Sequence, residues 1–171
     1  MNFLEVSLKR NEYDRKKKNI PQDIHEFSIC EIFAKYLSKE KKDDYGDVKK
    51  DPSLEEKGVD VIMSSVKGDF VMLQLVHSRD YDMNPKTISK EIDSSGFPII
   101  VSAKEKCKKY FEKGIDTSNI ILLIEGATIG SSVEDLVKAP EFLKEFQNLR
   151  CFKEIYYIHN FNDGYVYPLK R

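Results

Sequence analysis

Residues 58–77 read Gly58-Val59-Asp60-Val61-Ile62-Met63-Ser64-Ser65-Val66-Lys67-Gly68-Asp69-Phe70-Val71-Met72-Leu73-Gln74-Leu75-Val76-His77. Two β-branched and apolar segments, 59–64 and 70–77, flank Lys67-Gly68-Asp69, which is turn chemistry, so the stretch predicts a β-hairpin. Pairing about a turn centred on Lys67 sets Asp60 opposite Gln74, equidistant from that centre. A register slip of one residue would keep the two close but send them to different faces. Gln74 lies between Leu73 and Leu75 in an otherwise apolar strand, so its amide needs a partner.

Upstream, Pro21 suits the first turn of a helix, and Ile24, Phe27, Cys30, Ala34 and Leu37 recur at helical spacing over 22–41. Residues 43–53, broken by Gly46 and Pro52, read as a loop or a short irregular strand. Downstream the pattern predicts a short helix over 84–93, a connector or edge strand over 98–101, and a helix over 104–113 that stops at Gly114. The continuous apolar run 120–124 is a buried strand. Ser131-x-x-Glu134 is a capping box opening a helix that Pro140 breaks or restarts. Segments 155–159 and 165–167 flank Asn162-Asp163-Gly164, a second hairpin signal. This order predicts a three-layer-type α/β sandwich with a central mixed β-sheet. Residues 1–20 form a basic N-terminal segment, and 21–171 a single domain.

The chain has 171 residues, with 28 Lys/Arg against 29 Asp/Glu, and no apolar run approaching the roughly 20 residues of a membrane helix. The N-terminus lacks the apolar core of a signal peptide, so a cytoplasmic, non-membrane protein is expected. Cys30, Cys107 and Cys151 are odd in number and far apart, which argues for reduced structural thiols. His25, His77 and His159 show no metal-ligand spacing. Local charge is uneven: residues 1–20 carry six Lys/Arg against three acids, and 104–113 carry five Lys against two Glu. Such runs contact phosphates or form solvated faces. Only five of the 28 basic residues are Arg, which weakens the case for bidentate base readout.

Polar residues recur where the pattern asks for apolar ones. Glu31 follows Phe27 by one helical turn and precedes Ala34, inside the apolar stripe. An inward Glu, Asp60 and Gln74 can converge as oxygen ligands for a hard cation such as Mg²⁺. Each also has a plainer role: Asp60 capping a turn or pairing Lys57, Gln74 bonding across the sheet, Glu31 exposed on a rotated stripe.

The text His25-Glu26-Phe27…Glu31-Ile32-Phe33-Ala34, then Gly58-Val59-Asp60-Val61-Ile62, then Leu73-Gln74-Leu75-Val76, resembles the PD-(D/E)XK nuclease-like superfamily, whose fold is restriction-endonuclease-like. Lys104-Glu105-Lys106-Cys107-Lys108-Lys109-Tyr110 and Ile120-Ile121-Leu122-Leu123-Ile124 look like the helix and strand that complete such a core. The resemblance spans roughly residues 22–159. It implies Asp60 as the central metal ligand, Gln74 as the variable ligand, and Glu31 as the helix acid, with Glu26 the less well-faced alternative. Val76 departs from the pattern, since the superfamily places a water-orienting lysine two residues after the variable ligand. The resemblance then implies a lysine from another element, Lys86 or Lys90; Arg79 stays protonated and is a poor base. The implied activity is Mg²⁺- or Mn²⁺-dependent hydrolysis of DNA or RNA in a defence, repair or mobile-element setting, with a homodimer as a common form. The alternative is a catalytically inactive module of the same fold that binds nucleic acid or a protein partner.

Two further signals have simpler explanations. Residues 125–132 lack the spacing and lysine of a phosphate loop and predict a tight strand-to-helix turn. Tyr156, Tyr157, Phe161, Tyr165 and Tyr167 could stack on bases, or could form cross-strand pairs on a core.

Overall fold

The computed structural model describes residues 22–77, 98–126, 138–159 and 165–171. Its elements are α1 (Gln22–Lys41), β1 (Tyr45–Lys49), α2 (Pro52–Glu55), β2 (Val61–Ser65), β3 (Phe70–His77), α3 (Pro98–Glu112), β4 (Ile120–Glu125), α4 (Pro140–Gln147), β5 (Glu154–His159) and β6 (Tyr165–Lys170). The six strands form one sheet in the order β1-β2-β3-β4-β5-β6. β1, β2 and β3 are a meander of antiparallel neighbours, β3, β4 and β5 run parallel, and β6 returns antiparallel to β5. The chain is thus an α/β fold on a mixed sheet. None of the described helices is long and apolar enough to cross a membrane.

The hairpin forms in the register its sequence predicts. Val61 pairs Leu73, Ile62 pairs Met72 and Ser64 pairs Phe70, all centred on Lys67. Before β2 the ladder leaves this register: the Asp60 main-chain N–H donates to Leu73 O at 2.8 Å, and Asp60 meets Gln74 through its side chain.

Strand alternation divides the core between two faces. Ile120, Leu122 and Ile124 of β4 pack with Ile99, Ile100 and Ala103 of α3 and with Phe142 and Phe146 of α4. Ile121 and Leu123 point the other way and meet Ile29, Cys30 and Phe33 of α1. Both sheet faces are therefore covered, which explains why β4 is apolar at consecutive positions and wholly buried.

Several expectations are corrected. Of the stripe expected on α1, Cys30, Ala34 and Leu37 are buried but Ile24 is exposed, and His25, Ile29 and Phe33 are buried as well, so the inward face is rotated toward them. Residues 98–101 are neither connector nor strand but the first turn of α3. A proline costs no hydrogen bond there, and Ile99, Ile100 and Ala103 already share the buried stripe. Pro140 restarts a helix in the same way, at the first turn of α4. Cys107 on α3 and Cys151 before β5 form a disulfide with Cα atoms 5.7 Å apart, so they are not the free thiols expected. Their separation of 44 residues left no local spacing to read. Cys30 is a buried free thiol, pushed up to about 12 by desolvation. The helix expected over 84–93, the capping box at 131–134 and the turn at 162–164 lie outside the described residues.

Candidate active-site cleft

Where β3 and β4 end, a cleft of about 320 Å³ opens. It is lined by Asp60, Gln74, Leu75, Val76 and Lys106 together with His25, Glu26 and Glu125. It lies at the C-terminal ends of parallel strands, where adjoining loops and side chains can converge on a ligand. Asp60 reaches the same end because β2 runs antiparallel to β3.

Asp60 is held by its neighbours across the hairpin. Its Oδ2 accepts from the Leu75 main-chain N–H at 2.8 Å and from Gln74 Nε2. The same amide nitrogen donates to Leu75 O at 2.8 Å. Gln74 is buried, on the α3 face of the sheet, and its Oε1 receives the Tyr110 hydroxyl. That hydroxyl also lies 3.1 Å from Gly58 O, although it has one proton to give. Tyr110 comes this close because residue 58 is glycine. Its φ is +78°, and a Cβ there would sit 2.6 Å from Tyr110 Cε2.

Lys106 lies one turn before Tyr110 on α3, its Nζ 5.6 Å from the ring centroid. Burial lowers the pKa of its ammonium, and the opposing charge of Asp60 limits that fall. The Asp60 carboxyl is raised, chiefly by desolvation, with the Leu75 N–H and Lys106 pulling it down and Glu26 pushing it up. Glu26 pairs with Lys50 at 2.8 Å. His25 Nε2 lies 2.7 Å from Glu125 Oε1, and both side chains are buried.

Asp60 and Gln74, expected from the hairpin, therefore share one cleft. Glu31 does not join them: it is exposed, because the rotated stripe of α1 turns Glu26 toward the cleft instead. Lys86, Lys90 and Arg79 lie outside the described residues. Val76 lines the cleft, so the apolar departure from the motif faces the site itself. Sequence reasoning missed Lys106, although Ile99, Ala103, Lys106 and Tyr110 follow helical spacing and place a lysine on an inward stripe. It also missed His25–Glu125, residues a hundred positions apart with no local signature. Tyr156 and Tyr157 are core residues, and Tyr157 and Tyr167 pair across strands with centroids 6.4 Å apart. Among the described residues no three His, Cys, Asp or Glu side chains are grouped to hold a metal; Asp60 has an amide and main-chain groups as its nearest partners.

Comparison with protein-family models, with curated proteins and with solved structures returns no match.

Proposed function

We propose that this chain is a metal-dependent phosphodiesterase of the PD-(D/E)XK-like class, acting on DNA or RNA. The observation that carries this is the single cleft shared by Asp60, Gln74 and Lys106, with the lysine delivered by α3 where β3 offers only Val76. The strand order supports it: an antiparallel meander followed by a parallel strand reached through a helix is what a restriction-endonuclease-like core requires.

The donors present suit a hard cation. Asp60 Oδ2 and Leu75 O already converge on the Gln74 amide nitrogen. Turning that amide over brings three oxygens face to face, an arrangement that a cation stabilises. The turned nitrogen then donates to the Tyr110 hydroxyl, whose proton goes to Gly58 O, so every polar group keeps a partner. A Mg²⁺ or Mn²⁺ ion bound there supplies Lewis-acid polarisation of a phosphoryl oxygen and a more acidic water. Lys106, lining the same cleft, would orient such a water and offset charge on the phosphoryl group. Glu26 replaces Glu31 as the acid contributed by α1.

The test is cleavage of labelled single-stranded DNA, duplex DNA and RNA with Mg²⁺ or Mn²⁺, beside Asp60→Ala. Metal-dependent cutting that disappears in the variant is expected; cutting that survives it sinks the assignment. One observation favours the binding-module alternative: Gln74 presents a donor, not an acceptor, to the carboxylate of Asp60. Wild-type and Asp60→Ala proteins that bind nucleic acid equally and cut nothing would put that alternative in its place.

A further inference from the structure

Helix α3 and the turn after it carry Lys104, Lys106, Lys108, Lys109 and Lys113, and the structure sorts them into two rows. Lys113 continues the helical geometry, its N–H donating to Lys109 O at 3.2 Å. At 3.6 residues per turn, Lys106, Lys109 and Lys113 fall within an arc of about 60°, while Lys104 and Lys108 lie about 160° to 200° around from Lys106. The second row is neutralised: Lys104 pairs with Glu145 at 2.9 Å and Lys108 approaches Glu112 at 3.9 Å. No ion pair joins Lys106, Lys109 or Lys113 to an acid among the described residues. Lys109 and Lys113 are exposed and both charges act on Lys106, which also feels Asp60, so the three form one positive row whose outer two members have no ion pair among the described residues.

The row has a direction. It begins at Lys106 inside the cleft and runs outward for about 10 Å along the helix axis. We propose that Lys109 and Lys113 form a phosphate track that leads the sugar–phosphate backbone of one nucleic-acid strand into the Asp60 cleft. A polyanion of regularly spaced charges suits this row, because adjacent ammonium groups that no described acid pairs directly gain from successive phosphates and release their counterions on binding. Aromatic base stacking is not required, so the track is indifferent to sequence. The proposal deepens the phosphodiesterase assignment and rests on it.

The full-length chain is titrated onto a fluorescein-labelled 20-nucleotide single strand in EDTA, with anisotropy read across a salt series. Wild type is compared with Lys109→Ala/Lys113→Ala and with Lys104→Ala/Lys108→Ala. Loss of two phosphate contacts predicts about 25-fold weaker binding at 0.1 M salt and a log–log salt slope shallower by about 1.4 for the first pair. The second pair should stay near wild type, and Lys109→Arg/Lys113→Arg should restore binding. Equal losses in both alanine pairs, or none in the first, overturn the track. Mn²⁺-dependent hydrolysis of bis(p-nitrophenyl) phosphate, too small to span the row, should change far less in Lys109→Ala/Lys113→Ala than strand binding does, the remaining effect coming through the charge the pair exerts on Lys106. Ester hydrolysis that persists while the track fails leaves the phosphodiesterase standing. A wild-type protein that neither binds the strand nor cleaves the ester removes both. Poly-glutamate that competes as well as the oligonucleotide would assign the row to an acidic protein instead and overturn the nucleic-acid track.

Discussion

Lys106 and Lys170 are both half-buried lysines, and burial lowers the pKa of each ammonium. Lys170, on β6, lines a cleft of about 600 Å³ beside the Cys107–Cys151 disulfide. Its Nζ donates to Leu149 O at 2.8 Å, Cys151 O at 3.0 Å and Phe152 O at 2.9 Å. All three ammonium hydrogens are thereby used, and the loop before β5 is fastened. Lys106 faces a carboxylate and an aromatic ring, and no described acceptor is hydrogen-bonded to it. A buried ammonium whose donors are all satisfied is a structural clamp, whereas one left short of acceptors can still serve a ligand.

The sharpest way to break this contrast is to replace both lysines with methionine. Lys106→Met should reduce metal-dependent cleavage about 10²- to 10³-fold, the range of one lost charge-stabilising group, and leave the melting temperature equal or higher. Lys170→Met should do the reverse. Three carbonyls lose their donor, so denaturant unfolding should show a loss of about 2–3 kcal/mol with cleavage retained below the transition. If the two variants exchange phenotypes, the assignment of clamp and site is inverted.

A smaller effect is expected at Gly58, which lets Tyr110 reach Gln74. Gly58→Ala forces a positive φ and a Cβ against the Tyr110 ring, and should cost about 2 kcal/mol in urea unfolding. It should also weaken cleavage by displacing Gln74, which Tyr110 holds. Unchanged cleavage in a destabilised protein would detach Tyr110 from the site.

The gentlest test is the pH dependence of stability. The raised Asp60 carboxyl means that the folded protein binds a proton that the unfolded chain has released. Its burial therefore costs nothing below the ordinary value of 3.8, and stability falls as pH rises from there through the folded value. Asp60→Asn removes that fall, so its melting temperature should exceed that of wild type at pH 7 and converge with it near pH 3.5. A gap that widens on acidification would mean that Asp60 stabilises the fold as an anion.

Much of the fold was legible in the sequence, through local periodicities. The hairpin register followed from the symmetry of 58–77 about Lys67, and the buried strand from the unbroken run 120–124. The errors share a cause. Assigning 98–101 to a connector overlooked that Ile99 and Ile100 join Ala103 on one helix face. Choosing Glu31 over Glu26 came from a stripe read one position out of phase, a turn of about 100° that an alternating apolar pattern resolves poorly.

Taken by itself, the sequence determined the β2–β3 hairpin with its register and the buried strand β4, because strand alternation and turn chemistry act over a few residues. Only the tertiary structure decided that Lys106 meets Asp60, that His25 meets Glu125 and that Cys107 meets Cys151. Those partners lie 46, 100 and 44 residues apart, beyond any local spacing rule. What joins them is the packing of α1 and α3 on opposite faces of one sheet, set by the total apolar surface each face must bury.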